Sequence, residues 1–235
     1  MDMIIDRCRS CVVRENAICG GLTDPELRPL SAIGRRRSIA PGQVLSWAGD
    51  ANLACANLVS GILKVTSATA DGREQIVGLL FGGDFVGQLF AQEATLTVTA
   101  LTECDLCLYP RERFEDVLRG SHALEHALLR RTMTSLNDAR ERMLTLGKRG
   151  AAERIAGFLL DLARRSEDEG DGRRVAIQIP ISRGDMADYL GLTIETVSRA
   201  LTKLENDGVI RRKGARGIEL LDPARLGQSD EERVV

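Results

Sequence analysis

The stretch SRGDMADYLGLTIETVSRALTKLENDG, residues 182–208, has the pattern of two helices joined by a tight turn. Ser182 lies where a capping box would open a short first helix. Thr193 can cap a longer second helix, and Gly208 can end it. Gly191 lies between the two and permits the left-handed backbone of a tight turn. Two helices joined by about four residues that include a glycine form a helix-turn-helix.

The second helix of this pair has one apolar face and one polar face. The residues predicted to be buried are Ile194, Val197, Leu201 and Leu204. The residues predicted to point outward are Glu195, Thr196, Ser198, Arg199 and Lys203. A short polar face of mixed charge is what a recognition helix presents to base edges in the major groove of DNA. An ordinary solvated helix face is the alternative interpretation of the same pattern.

A cation-rich hairpin follows the second helix. Its sequence, VIRRKGARGIEL, places Gly214 and Gly217 at the bend and carries four cations. This is typical of a wing that lies near DNA phosphates, and Arg212 and Lys213 are predicted to contact them. We therefore predict a winged helix-turn-helix domain over residues 148–225, followed by a disordered tail over residues 226–235.

The sequence has a different period nearer its N-terminus. From Gly34 to Tyr109, short β-branched and apolar runs such as ANLVSGILKVTSA alternate with turn signals such as DG at Asp71 and GGD at Gly82. This alternation is typical of an all-β barrel or roll. We predict a β-roll sensory domain over residues 31–120.

Between these two regions the spacing of apolar residues is helical from Ser121 to about Leu146, with Gly147 as a stop. These residues follow the a/d rhythm of a coiled coil: Leu129, Met133, Leu136 and Met143. Charged neighbours keep the stripe narrow, which favours a seam between two copies of the chain over packing on the chain's own β-domain. We predict a dimerisation helix over residues 121–147 and a homodimer.

Length and composition set the broad class. The chain has 235 residues, of which 43% are hydrophobic, so it can bury one sizeable core and a smaller second one. It has no run of about 18 apolar residues that could span a membrane, and no apolar run typical of a signal peptide. We therefore expect a cytoplasmic protein with no membrane partner. In a reducing compartment, clustered cysteines are metal ligands or redox thiols more often than disulfides.

The order of β-roll, long helix and winged helix-turn-helix, an α+β architecture, resembles the CRP/FNR family of bacterial transcription regulators. The resemblance covers nearly the whole chain, and its β-roll is of the cyclic-nucleotide-binding type. The most specific matches are GDMADYLGLTIETVSR, VSGILKV, DGREQIVGLLFGGDFVG and ALTECDLCLYPRERFEDVL. The resemblance implies a homodimer that binds an inverted repeat in double-stranded DNA and contacts RNA polymerase, in part through the loop near Gly83 and Asp84.

The same resemblance implies which DNA is bound. The family residues that match Glu195, Ser198 and Arg199 read the half-site TTGAT, separated by four base pairs from its inverse ATCAA. Arg199 would then contact the guanine, because an arginine can bond both of its major-groove acceptors.

Three cysteines lie in RCRSCVVRENAIC, residues 7–19, within a predicted N-terminal segment over residues 1–30 that has no apolar run long enough to form a core. In FNR-type members, three N-terminal cysteines and one from the β-domain hold an oxygen-labile [4Fe-4S] cluster. The resemblance implies that the ligands here are Cys8, Cys11, Cys19 and Cys107. The interval of seven residues before the third ligand is longer than in the best-known members, and similar to that of FNR-like proteins from photosynthetic and nitrogen-fixing bacteria.

Strand periodicity favours Cys107 over Cys104 as the fourth ligand, because residues three apart on a strand face opposite sides. Cys104 shares its side with Leu106 and Leu108 and is predicted to lie in the core, as is Cys55. Four thiolates also suit zinc, which could use Cys8, Cys11, Cys104 and Cys107 and would leave Cys19 idle. Regulation by thiol oxidation without a cluster is a further alternative.

Other functions are less well supported by the residues. The region GGDFVGQLFAQEATLTVTAL has no arginine, whereas cyclic-nucleotide-binding relatives use an Arg-Ser or Arg-Thr pair there to meet the phosphate. We therefore expect no cyclic nucleotide. The chain has two histidines, His122 and His126, and no histidine-based triad or hydrolytic zinc site is visible. We predict that the protein is not an enzyme.

Overall fold

A computed structural model describes residues 7–165, 175–214 and 216–228 of the chain. The chain divides into two units, Met1–Asn137 and Asp138–Val235, and the boundary falls inside the predicted dimerisation helix. The predicted disordered tail is wrong for residues 226–228, which are helical with Leu226 buried, and its remainder from position 229 onward lies outside the described residues. No helix in the described part of the chain is long and apolar enough to cross a membrane.

The first unit contains the strands that the sequence predicts. They are β1 (Arg35–Ile39), β2 (Val44–Ser46), β3 (Ala54–Ser60), β4 (Leu63–Ala68), β5 (Glu74–Leu80), β6 (Phe85–Val86), β7 (Thr97–Ala100) and β8 (Cys104–Pro110). They form two antiparallel sheets, in the orders β1-β8-β3-β6 and β2-β7-β4-β5. The predicted β-roll is therefore confirmed.

The main core of this unit lies between the two sheets. Leu58 and Leu106 come from one sheet, and Leu63 and Ala100 come from the other. Successive residues of a strand point to opposite faces, so each sheet gives every second residue to this core. Cys104 is among them and is fully buried, as predicted.

A second apolar layer covers the outer face of β8 and β3. It includes two helices that the sequence analysis did not predict, α1 (Asp24–Ile33) and α2 (Arg111–Arg119). The N-terminal segment adds to the same layer, which corrects our expectation that it takes part in no core. Its buried members include Ile18, Cys19, Leu22, Leu27, Leu30, Tyr109 and Phe114.

The predicted dimerisation helix is α3 (His122–Lys148). It passes through Gly147, so the predicted stop at that glycine is wrong by one residue. The first two turns pack on the second layer through Leu124, Ala127 and Leu128. Residues 132–141 are all exposed. The four predicted seam residues are 42% to 72% exposed in the single chain: Leu129, Met133, Leu136 and Met143.

The second unit has the predicted order of elements. They are α4 (Ala151–Arg165), β9 (Val175–Gln178), α5 (Arg183–Leu190), α6 (Ile194–Asn206), β10 (Ile210–Lys213), β11 (Gly217–Leu220) and α7 (Pro223–Gln228). The strands pair in the antiparallel order β10-β11-β9. The predicted helix-turn-helix and its wing are therefore confirmed.

The local signals in this unit act as the sequence predicts. The hydroxyl of Ser182 accepts from the backbone N–H of Asp185, and that of Thr193 accepts from Thr196. Gly191 has a φ of 61°, in the left-handed region, so a residue with a side chain would be strained there. The buried face of α6 is narrower than predicted: Val197 and Leu201 are buried, Leu204 is half-buried, and Ile194 at the start of the helix is 51% exposed.

Candidate metal and DNA-binding sites

Cys107 lies at the centre of the first candidate site. It is half-buried on β8, opposite Arg36 of β1 and Asn57 of β3. Its side chain packs against the second layer, away from the core between the sheets. Tyr109, two residues on, is buried in that layer, and its hydroxyl accepts from Asn57 Nδ2 at 3.3 Å. The outer face of β8 is thus a covered, partly polar surface and not a solvated one.

The three N-terminal cysteines lie near Cys107 and near one another. Burial raises the pKa of Cys8, and the next largest effect is the nearby Cys107. Burial raises the pKa of Cys19 to about 11, followed by the nearby Cys11. The neighbouring thiols contribute to both of these shifts, because like charges at short range disfavour the charged form. The four predicted ligands therefore share one electrostatic neighbourhood.

The remaining two cysteines differ from these four, although Cys55 is buried in the same second layer as Cys19. Cys104 is fully buried between the sheets, and its thiol donates to the carbonyl of Ile62 or of Thr102, each at 3.3 Å. Burial raises the pKa of Cys55 to about 12, and the next contribution comes from Glu115 and not from another cysteine. The zinc alternative requires Cys104 to face outward, so the structure does not support it.

Among the described residues, no three Cys, His, Asp or Glu side chains already converge in a geometry that could hold a metal ion. The thiols are neighbours that a metal group would still have to gather. Two arginine side chains and one glycine lie beside these thiols. Arg36 donates to Cys11 Sγ at 3.6 Å, and Arg7 donates to the carbonyl of Gly34 at 3.1 Å. A Cβ on Gly34 would lie 3.2 Å from Cys107 Sγ, so this glycine leaves room beside the thiol. Four thiols with arginines beside them fit an anionic iron-sulfur cluster.

The N-terminal segment also packs on the loop between β5 and β6. A Cβ on Gly82 would lie 3.3 Å from Val13 Cγ1, and one on Gly83 would lie 3.0 Å from Asn16 Cβ. Asp84 accepts from the backbone N–H of Phe81 at 2.8 Å and from the guanidinium of Arg131 on α3. The Asp84 carboxylate, expected to lie near an RNA polymerase contact, is thus already bonded within the chain.

The second candidate site is the outer face of α6. The exposed residues are Glu195, Ser198, Arg199 and Lys203, as predicted, whereas Thr196 is half-buried. The backbone N–H of Glu195 itself, and then the Thr193 hydroxyl, lower the pKa of the Glu195 carboxyl, which keeps it a charged acceptor at neutral pH. Thr202 and Asn206 were not predicted, and they line the same shallow groove as Ser198, Arg199 and Lys203. Their i+4 and i+8 spacing from Ser198 is the signal that could have found them.

The wing cations are less free than the sequence suggested. Arg212 Nε donates to Glu205 of α6 at 2.6 Å, and Lys213 lies 3.2 Å from Glu219. A further cation that the sequence analysis missed is Arg183, at the start of α5. One Nη of Arg183 is buried and has no hydrogen-bond partner among the described residues. Burial, and then the nearby Arg212, lower its pKa.

Both units match known domain families. Residues 153–229 match the Crp-like helix-turn-helix domain, and residues 36–121 match the cyclic nucleotide-binding domain. Over 227 residues the chain is 40% identical to the transcriptional activator protein FnrL of Cereibacter sphaeroides, covering 95% of this chain and 91% of that protein. The chain belongs to the CRP/FNR family of transcription regulators. This confirms the predicted family and the expectation that the protein is not an enzyme.

Two further members of the CRP/FNR family match nearly the whole chain. The nitrogen fixation regulation protein FixK of Bradyrhizobium diazoefficiens is 35% identical over 219 residues, or 93% of this chain and 92% of that one. The solved structure of FixK2 from Bradyrhizobium japonicum superposes with a TM-score of 0.78 at 30% identity, covering 86% of this chain and all of that one. Regulators of this family bind DNA and function as dimers.

Proposed function

We propose that the protein is an oxygen-responsive transcription activator. Cys8, Cys11, Cys19 and Cys107 would hold a [4Fe-4S] cluster, and the paired chains would bind an inverted repeat of the TTGAT type. The observation that carries this proposal is that Cys8, Cys19 and Cys107 pack in one layer with Cys11 as their electrostatic neighbour. Cys55 is buried in that layer but its charged neighbours are Glu115 and Arg111, and Cys104 lies between the sheets. The similarity to FnrL, a transcriptional activator, supports the role in transcription.

The bound cluster would supply an oxygen-labile cross-link between the N-terminal segment and β8. The chain's own residues carry the effect from that point. Ile18 and Leu22 of the segment are buried in the same apolar cluster as Leu124 of α3, and Ala127 and Leu128 pack against it. A segment held firmly on β8 therefore stabilises the first turns of α3, because apolar contacts in one cluster support each other.

The exposed stripe of α3 supports the predicted seam. Its apolar residues are uncovered in the single chain, and large exposed apolar stripes mark interaction surfaces. Pairing of two α3 helices would cover Leu129, Met133, Leu136 and Met143. Leu136→Asp should give a monomer with or without oxygen, since it places a like-charge pair on the two-fold axis. Sedimentation in nitrogen and in air measures this.

The face of α6 would read the bases. Arg199 is exposed and able to reach a guanine, Glu195 is a charged acceptor for an amino group, and Ser198 lies between them on the same face. The ion pair of Arg212 with Glu205 holds the wing against α6. The unpartnered Nη of Arg183 is buried and cannot itself meet a phosphate, so Arg212 and Lys213 remain the predicted backbone contacts.

The experiment that tests this proposal is purification without oxygen, followed by analysis of iron, sulfide and DNA preference. We expect about four iron and four sulfide per chain, lost in air. Selection from random DNA should then enrich an inverted repeat with the guanine that Arg199 contacts. Arg199→Ala should cost about 1 to 3 kcal/mol on that site and little on others. An enriched half-site without the guanine would contradict the assignment of the reading helix.

A second candidate is a regulator of the same family without a cluster, controlled by thiol oxidation. The thiols favour it, because no three of them converge on a metal site among the described residues. The raised pKa of Cys19 argues against it, because a thiolate is the form that oxidants attack. Iron-free protein that binds the inverted repeat equally well in nitrogen, and loses binding only when its thiols are oxidised, would establish this second candidate.

A further inference from the structure

One arginine bonds the ends of two helices in the second unit. The guanidinium of Arg154, on α4, donates to Leu146 O at 2.8 Å, near the C-terminal end of α3. It also donates to Leu190 O at 2.9 Å and to Gly191 O at 3.3 Å, at the C-terminal end of α5. Its Nε donates to Arg149 O at 2.9 Å. The last carbonyls of a helix have no partner within the helix, so a single planar cation here satisfies both ends.

The turn of the helix-turn-helix packs closely on the same place. A Cβ on Gly191 would lie 3.3 Å from Leu146 Cδ2 and 3.4 Å from Arg154 Nη1. Gly191 thus brings the turn against the end of α3 with no space for a side chain. α6 begins at Ile194, three residues later, so the position of this turn determines where the reading helix begins.

A second contact secures the same two helices. Arg142 of α3 lies over the ring of Tyr189 of α5, with Cζ 3.8 Å from the ring centroid, and donates to the Tyr189 hydroxyl. The ring of Tyr189 also meets Phe158 of α4 edge-on, at 5.6 Å between ring centroids. Burial lowers the pKa of Arg142 to about 10, which leaves it charged at neutral pH. A cation that stacks on a ring and bonds its hydroxyl permits little rotation between α3 and α5.

We propose that Arg154 is a positioning residue that sets the spacing between the two DNA half-sites which a dimer accepts. The part of α3 from Asp138 to Lys148 belongs to the second unit and carries Met143 of the predicted seam. In a dimer joined through α3, the separation of the two reading helices follows from how each α6 is fixed to its α3. Arg154, supported by Arg142, is the residue that fixes the position of α6 relative to the end of α3.

This inference rests on the proposed DNA binding by a dimer and concerns geometry, not base recognition. Two-fold dimers of such domains accept half-sites about one helical turn apart, and the preferred spacing reports the separation of the reading helices. Loosening this connection should widen the accepted spacings. It should leave the preference for bases within one half-site unchanged, because α6 keeps its own contacts.

The test uses the full chain under nitrogen with a set of DNA duplexes. They carry the same two half-sites separated by about three, four or five base pairs, and one further duplex carries a single half-site. Binding is measured by fluorescence anisotropy for the wild type, Arg154→Met and Arg164→Met. Arg164 lies on the same helix with its side chain 76% exposed, so Arg164→Met is the matched control for loss of one arginine from α4.

We expect the wild type and Arg164→Met to prefer one spacing by about tenfold, and Arg154→Met to bind all three within about threefold, a coupling loss of typical size. Affinity for the single half-site should be the same in all three proteins. An unchanged spacing preference in Arg154→Met would overturn the proposal. Equal loss on every duplex, the single half-site included, would overturn it too, since it indicates a damaged domain.

A second variant guards against failure to fold. If Arg154→Met lacks the helical circular dichroism of the wild type, Arg142→Met takes its place in the same series with the same expected loss of spacing preference, and an unchanged preference overturns the proposal. A wild-type chain that binds no inverted repeat at any spacing would instead overturn the proposed function, and this inference with it. The two failures are therefore distinguishable.

Discussion

The two faces of strand β8 each present a cysteine, and they differ in what covers them. The face with Cys104 is closed by a second sheet, so its core is complete within the β-roll. The face with Cys107 is closed by α1, α2 and a short N-terminal segment. The strands of the second sheet are tied together by backbone hydrogen bonds, whereas residues 7–23 belong to no strand and are held by apolar packing and by side-chain hydrogen bonds. The same residue type is therefore structural on one face and available for chemistry on the other.

This difference indicates which part of the domain a regulatory signal can change without unfolding it. Anything that alters the core between the sheets damages the fold itself. Anything that loosens the N-terminal segment changes only the outer layer, and that layer includes the first turns of α3. Local stability is not uniform across a structure, and switching elements come from its less stable parts.

The largest expected difference between the two faces is in iron content. Cys107→Ser should lower iron from about four atoms per chain to none, because a cubane cluster needs its fourth thiolate. Cys104→Ala should keep the iron and cost about 1 kcal/mol of folding free energy, the effect of a small cavity. Iron and sulfide analysis of protein purified under nitrogen measures both.

Single serine replacements of Cys8, Cys11 and Cys19 should behave as Cys107→Ser does, and Cys55→Ala should keep its iron as Cys104→Ala does. Retention of iron in Cys107→Ser together with its loss in Cys104→Ala would reverse the comparison. It would make Cys104, and not Cys107, the fourth ligand, whereas loss of metal in both variants would favour the zinc-type set that uses Cys104 and Cys107 together.

The next difference concerns unfolding with and without iron. Leu106→Ala, between the sheets, should cost about 2 to 5 kcal/mol in both forms. Leu27→Ala, in the outer layer, should cost a similar amount with iron and clearly less without it, because the layer is then already loosened. Urea unfolding followed by the chain's single tryptophan, Trp47, reports the β-roll unit. Equal costs for Leu27→Ala in the two forms would show that the outer layer does not depend on the metal.

A smaller effect is expected beside the thiol itself. A Cβ on Gly34 would lie 3.0 Å from Tyr109 Cε1 and 3.2 Å from Cys107 Sγ, so Gly34→Ala should crowd the ligand at a cost of about 1 to 3 kcal/mol. Iron should be taken up more slowly and lost sooner in air. Gly21→Ala, with open space around its Cβ, is the matched control and should behave as the wild type does. If both variants lose iron at the wild-type rate, the pocket beside Cys107 is looser than its distances imply.

The smallest effect should come from the hydrogen bond to Cys11. Arg36→Met removes the donor 3.6 Å from Cys11 Sγ and should cost about 0.5 to 1.5 kcal/mol of cluster retention, the value of one hydrogen bond. The rate at which the visible absorption of the cluster bleaches in air should rise a few-fold. Arg37→Met, one residue along the same exposed strand, controls for the lost charge and should bleach as the wild type does.

Local signals predicted most of the second unit. Ser182, Thr193 and Gly191 each act through one or two backbone bonds or one dihedral angle, and such effects can be read from neighbouring residues. The opposite facing of Cys104 and Cys107 also follows from strand period alone. The capping box of Thr23 and Glu26, with Pro25 at the start of α1, was an equally clear signal and could have predicted that helix.

The remaining features depend on residues far apart in the chain. Burial of Ile18 and Leu22 requires a sheet whose outer face needs a cover, which no local pattern states. The pairing of Arg212 with Glu205 and the hydrogen bonds of Arg154 arise where separate elements meet. The exposure of Ile194 shows the same limit, because a helical period predicts a face but not how far the neighbouring helix extends over it.

The ten exposed residues in the middle of α3 have a consequence for the amount of protein in a cell. Residues 132–141 are exposed throughout and span the boundary between the two units, and a short helical stretch that little packing supports is only marginally stable in water. In an unpaired chain this stretch would open often and become a substrate for proteases, whereas pairing would cover it. Degradation would then remove single chains and spare paired ones, so the regulator's lifetime, and not only its affinity for DNA, would follow its state of assembly.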